Sequence, residues 1–159
     1  MVIKRQAQFL RTFIILLVFL FSTLMLGCQS TGYLGSENTS TNENTAVVYG
    51  QAYSGKTEVA NYLHIYSELP PNYITKEEAM SMGWISREGN LWDVAYGMSI
   101  GGDRFGNREG LLPIEKGRQY FECDINYRGG YRGAERIVYS NDGLIFYTED
   151  HYKTFKQLY

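Results

Sequence analysis

Across residues 57–66 (TEVANYLHIY), apolar side chains recur at Val59, Tyr62, Leu63 and Tyr66, the spacing that lines one face of a helix. His64 falls off that stripe and reads as a solvated or half-buried helical residue. Leu69-Pro70-Pro71 closes the helix, because a residue preceding proline is pushed out of the helical region. Thr75 and Glu78 carry the Thr-x-x-Glu spacing of a capping box, which predicts a second helix ending at Gly83. Lys76 falls in its first turn, where a cation opposes the helix dipole. A residue that breaks a local rule is a candidate for function, set against the plainer reading of a surface lysine. A short third helix is predicted around Leu91–Ala95.

The pattern then changes period. Ser99–Phe105 starts a strand that runs into a Gly106–Gly110 loop carrying Asn107, Arg108 and Glu109. Tyr120–Ile125, Ile137–Ser140 and Leu144–Thr148 read as further strands, and Asn141-Asp142-Gly143 is a strong hairpin signal between the last two. Helices followed by antiparallel strands predict an α+β domain, with the N-terminal helices packed on one face of a C-terminal antiparallel β-sheet. On that sheet the sequence gathers a carboxylate (Glu122), two arginines four apart (Arg132, Arg136) and one of only two histidines (His151). A base, an acid and two cations on a rigid sheet are what phosphodiester cleavage needs. On its own, the 106–110 loop reads as a hairpin with a charged tip.

The first fifty residues add location. Lys4, Arg5 and Arg11 precede an apolar run, Phe13–Leu26, that is too short for a comfortable membrane span and suits a signal segment. Met25-Leu26-Gly27-Cys28 resembles a lipobox, with Met25 in place of the usual leucine, so Cys28 is the expected lipidation site. An uncleaved anchor and an ordinary cleaved signal are the alternatives, and all three put the domain outside the cytoplasm. The organisation expected is a signal peptide at 1–28, a polar tether at 29–50 and one domain at 51–159. Removal of 1–28 takes away three of fifteen basic residues and none of the seventeen acidic ones, leaving 12 against 17 and a net charge of −5. That balance argues against general nucleic-acid affinity, so any such role needs a local basic cluster. With Cys28 lipidated, Cys123 is the remaining thiol, best read as a small core residue. The histidines and cysteine show no zinc-like spacing, and no cofactor is expected.

The runs LPPNYITKEEA, GWISREGNLWDVA, SIGGDRFGNREG, DINYRGGYR, RIVYS-DGLI and TEDHYKTF together resemble the barnase/binase family of small bacterial guanyl-specific ribonucleases. The likeness covers about Glu58 to the C-terminus and implies the microbial ribonuclease fold. It implies Glu122 as general base, His151 as general acid, and Lys76, Arg132 and Arg136 as cations holding the phosphate. Asn107, Arg108 and Glu109 align with the guanine-binding loop, and Tyr152 with an aromatic residue beside the active-site histidine. RNA supplies its own nucleophile, the 2′-hydroxyl, so the implied chemistry requires neither metal nor cofactor. Ordinary Glu and His titrate near ~4.3 and ~6.5, which leaves a mildly acidic window with the base ionised and the acid protonated.

This sequence departs from the family's pattern at Gly106 (serine usual), Tyr96 (proline), Tyr120 (tryptophan) and Phe146 (tyrosine), and in its acidic balance. The first bears on the strength of guanine preference. The partners implied are RNA, a barstar-like protein inhibitor and, through Cys28, a membrane; a monomer is expected. The alternative reading is a catalytically silent lipoprotein that keeps the fold as a binding module.

Overall fold

A computed structural model of the protein describes residues 45–159. The expected signal segment, Cys28 and most of the tether lie outside the described residues. The order of elements is α1 (Lys56–Tyr66), β1 (Tyr73–Ile74), α2 (Lys76–Ser81), a 3-10 turn (Ser86–Glu88), α3 (Leu91–Val94), β2 (Ser99–Phe105), β3 (Tyr120–Asp124), β4 (Arg136–Ser140), β5 (Ile145–Thr148) and β6 (Lys156–Gln157). The six strands form one sheet in sequence order. All neighbours are antiparallel except β1 and β2, which run parallel. This is the expected α+β architecture, with two short edge strands and one parallel pair that the hydrophobic pattern did not announce.

Strand alternation sorts the side chains of β3–β5 onto two faces. Cys123, Ile137 and Ile145 point to one face and meet Val59, Ala60 and Leu63 of α1 in the main core. Tyr120, Val138 and Phe146 point to the other and form a second core with Leu112, against which Phe105 and Tyr152 pack. Glu122, Asp124, Arg136 and Thr148 share this second face, because Glu122 pairs with Val138 and Asp124 with Arg136, which pairs in turn with Thr148. Alternation alone thus brings the charged groups of β3 and β4 together with Thr148 of β5, on the side away from α1. Trp84, Leu91, Ile100 and Ala79 make a third cluster that seats α2 and α3 against β2.

α1 is buried more broadly than its apolar stripe predicts. Five consecutive residues, Val59 to Leu63, are buried, among them Asn61. The sheet covers one side of the helix and the segment from Thr45 covers another. Asn61 Nδ2 donates to Thr45 O at 2.8 Å, Gly50 N–H donates to the Tyr62 hydroxyl, and the Tyr66 hydroxyl donates to Val47 O. Packing therefore begins by residue 45, ahead of the expected boundary at 51. Cys123 is fully buried in the main core, and burial pushes its thiol well above the ordinary range.

Candidate active site

α2 begins as the capping box requires. The Thr75 hydroxyl accepts from Glu78 N–H, and the Glu78 carboxylate accepts from Thr75 N–H at 2.8 Å. The cap fixes the direction in which the next residue leaves the helix. Lys76 Nζ reaches Glu122 Oε1 at 2.5 Å, so the cation that opposes the dipole of α2 meets a carboxylate of the sheet. One residue of β2 is bulged. Gly101 pairs with Cys123 and Asp103 with Glu122, which leaves Gly102 as the extra residue at φ 92°, a conformation that suits glycine. The bulge turns Asp103 toward α2, where it accepts from Lys76 N–H at 3.0 Å.

Glu122 is 6 % exposed and both its oxygens are engaged, one by Lys76 and the other by the Tyr152 hydroxyl, which donates to Oε2. Burial disfavours the charged form. The Lys76 and Tyr152 hydrogen bonds and the positive charges of Lys76 and Arg132 outweigh it, so the Glu122 carboxyl is held below its ordinary value. Burial, reinforced by the same contact, pushes the Tyr152 phenol up. Glu122 is therefore an ionised carboxylate poised in a partly dry site.

The two arginines meet through a residue that sequence reading did not single out. Asp124 is 2 % exposed and takes a bidentate pair from Arg132, Nε to Oδ2 and Nη2 to Oδ1, both at 2.7 Å. Arg136 Nε lies 2.9 Å from Asp124 Oδ1, close enough to count as an ion pair. Its N–H is too poorly aligned for a hydrogen bond and has no other partner. The contact is electrostatic: a buried cation beside a buried carboxylate. Arg136 Nη1 donates to the carbonyls of Gly133 and Glu135, which fixes the plane of its guanidinium. The turn that carries Arg132 is seated on Trp92. Gly129 has φ 87°, and a Cβ there would fall 2.8 Å from the indole. The signal for Asp124 was present in the sequence: it sits two residues beyond Glu122 on the same strand face, and a buried carboxylate needs cations nearby.

Arg132 and Arg136 line an open cleft of about 540 Å³ together with His151, Tyr131 and Ser86. His151 is exposed, and its ring lies 4.7 Å from that of Tyr152. The Asn107–Glu109 loop lines a separate cleft of about 530 Å³ with Phe105 and Tyr120. Phe105 links the two regions, its ring 5.2 Å from that of Tyr152. Asn107 stands at φ 41°, and its side-chain amide staples the loop, donating to Leu112 O and accepting from Leu112 N–H. Its side chain is thus occupied with the loop's own shape. Arg108 and Glu109 are exposed and take part in no ion pair among the described residues. His64 stays outside all of this, stacked on Tyr159 with ring centroids 4.0 Å apart. Among the described residues, no group of three His, Cys, Asp or Glu side chains is placed to hold a metal ion.

A buried carboxylate, two arginines locked by a second carboxylate, and an exposed imidazole can together move protons to and from a bound phosphodiester. Residues 56–159 match the family model described as ribonuclease. The chain is 56 % identical over 100 residues to a ribonuclease of Heyndrickxia coagulans, covering 63 % of this chain and 92 % of that protein. A ribonuclease of Bacillus intermedius is also 56 % identical over 100 residues, which is 62 % of its length. A guanyl-specific ribonuclease St of Saccharopolyspora erythraea is 45 % identical over 56 residues, 35 % of this chain and 55 % of that one.

Proposed function

Because this chain belongs to the ribonuclease family by its match over residues 56–159, we propose that it is an endoribonuclease that cleaves single-stranded RNA after guanosine. In the first step Glu122 takes the proton of the ribose 2′-hydroxyl and O2′ attacks phosphorus. The bond to the 5′-oxygen breaks, and His151 gives that oxygen a proton, leaving a 2′,3′-cyclic phosphate. In the second step His151 deprotonates water, the water opens the ring, and Glu122 returns its proton to O2′ to leave a 3′-phosphate. The observation that carries this reading is Glu122, a carboxylate held ionised within a largely buried site by Lys76, Tyr152 and Arg132. Lys76, Arg132 and Arg136 would hold the phosphate and the charge that grows on it, a form of preorganised stabilisation that is often the largest catalytic contribution.

Guanine preference is assigned to the 107–109 loop. Glu109 is exposed and can accept from the adjacent N1–H and N2–H donors of guanine, a pairing that one carboxylate can make with both. With the Asn107 side chain stapled to Leu112, its backbone is the group left to serve O6. The printed name of the Saccharopolyspora relative supports the same preference. The nucleophile belongs to the substrate and the cations to the protein, so cleavage is proposed to need no metal. Location follows from the N-terminal reading: a lipid anchor on Cys28 outside the cytoplasm, checked by the mass and first residue of the mature protein. An unmodified Cys28 in an intact chain would refute it.

The test of activity is incubation of the protein with RNA in EDTA between pH 5 and 8, with the new ends identified. Products ending in guanosine 2′,3′-cyclic phosphate and then guanosine 3′-phosphate are expected. Glu122→Ala and His151→Ala should each lower the rate by about 10²–10⁴-fold, the usual contribution of a general base or acid. No cleavage across that range would leave the binding-module reading in its place, and loss of cleavage in EDTA would remove the metal-free mechanism.

A further inference from the structure

His151 and Tyr152 stand side by side in the left-handed region, at φ 58° and 71°. Neither is glycine, and a Cβ makes this conformation unfavourable for each. Two such residues in a row persist only where the surroundings over-determine them. The determinant is Asp150, a residue with no role in the reaction described above. Its Oδ1 accepts from the backbone N–H groups of Lys153 and Thr154, both at 3.0 Å, and from the Thr148 hydroxyl at 2.9 Å. Its Oδ2 accepts from the Thr154 hydroxyl at 2.7 Å. Thr148 is buried at the end of β5, and with its proton given to Asp150 its oxygen faces back to accept from Tyr152 N–H at 3.0 Å. One carboxylate therefore fixes the backbone on both sides of the two left-handed residues, and through Thr148 it fixes the backbone of Tyr152 itself. The Tyr152 hydroxyl in turn donates to Glu122.

We propose that Asp150 is the positioning residue for both proton-transfer groups, fixing the backbone that carries His151 and, through Thr148 and Tyr152, the Glu122 carboxylate. This rests on the roles given above to Glu122 and His151. The Thr154 hydroxyl and backbone N–H hold the Asp150 carboxyl down to about 2, so the clamp is charged wherever the enzyme is expected to work.

The test uses Asp150→Ala and Asp150→Asn, assayed on a guanylyl dinucleotide and on guanosine 2′,3′-cyclic phosphate, well below each variant's unfolding temperature. Asp150→Ala should lower kcat on both substrates by about 10–100-fold, the scale of a catalytic group displaced by ~1 Å. KM should change less than twofold, since the guanine loop lies in another cleft. Asp150→Asn retains a carbonyl acceptor for the two backbone N–H groups and should recover most of kcat, which a loss of stability alone would not predict. Amide hydrogen exchange gives a readout free of activity: Tyr152, Lys153 and Thr154 should lose protection in the alanine variant while β3 and β4 keep theirs. Unchanged kcat in folded Asp150→Ala, unchanged protection of those amides, or equal losses in the two variants would overturn the assignment. A wild-type protein without cleavage would instead overturn the functional reading and leave the exchange experiment to decide the clamp.

Discussion

Replacing Asp124 by asparagine keeps the shape of the side chain and removes its charge. In the folded protein Asp124 is 2 % exposed, and the side chains of Arg136 and Arg132 are 3 % and 18 % exposed. The substitution leaves Arg136 buried beside a neutral amide, and one of the two parallel bonds from Arg132 turns into an N–H facing an N–H. Removing one partner of a buried pair costs about 3–5 kcal/mol, because the remaining charge is stranded. We expect the upper half of that range, since two cations share the one carboxylate. A domain of this size has ~5–15 kcal/mol of stability in total, so the variant should fold but melt roughly 10–25 °C lower. The assay is urea unfolding followed by the fluorescence of Trp84 and Trp92, both of which lie in or against the cluster beside β2. The midpoint should fall by about 2 M with the slope unchanged, since the surface exposed on unfolding is the same. A loss below ~1 kcal/mol would show that the arginines find other partners and that Asp124 does not hold them. The folded fraction should also bind phosphate more weakly, because Arg132 would lose one of the two bonds that hold its guanidinium to Asp124.

Two further outcomes follow from charge. Asp142, paired with Arg118, and Asp150, bonded to Thr154, both have carboxyls held down to about 2 from an ordinary 3.8, and that of Glu122 is also lowered. A folded value below the unfolded one means that each group's contribution is complete above its ordinary value and disappears as pH falls through the folded one. The melting temperature should therefore drop steadily from pH 4 to pH 2, and a flat or rising profile over that interval would refute the assignment. The expected balance of −5 also implies weak long-range attraction for polyanions. Relative to a basic member of the family, cleavage of long RNA should be slower at low salt, while rates on a guanylyl dinucleotide should differ much less. Equal ratios on the two substrates would count against this.

Much of the fold could be read from local pattern. The capping box at Thr75, the stop at Gly83, the Asn141–Gly143 turn and the alternating runs of β3 to β5 are short-range signals, and each lies where it was expected. β1 and β6 are two residues long and exist only because a neighbouring strand supplies partners, so no period could announce them. Asn61 was invisible for a similar reason. It is polar and lies off the apolar stripe, and its burial depends on segments distant in sequence. At the site, Glu122, His151 and the arginines stood out as chemistry-bearing residues. Asp103, Asp124 and Asp150 did not, because a carboxylate that holds another residue in place looks like any surface acid until its partners are known. Lys76 lies between these cases: its poor fit to the helix dipole marked it out, and its contact with Glu122 explains the misfit.

The buried amide of Asn61 touches both ends of the described chain. It donates to the carbonyl of Thr45 and accepts from the hydroxyl of the final residue, Tyr159. The two ends of the described chain are therefore bridged by the side chains of Asn61 and Tyr159. They meet at α1, on the face of the sheet opposite Glu122, Asp124 and Arg136. A linker of a few residues could join them, and a circularly permuted chain opened at an exposed turn should keep the same core. A carrier joined directly to Thr45 or to Tyr159 would lie on the side opposite the candidate active site.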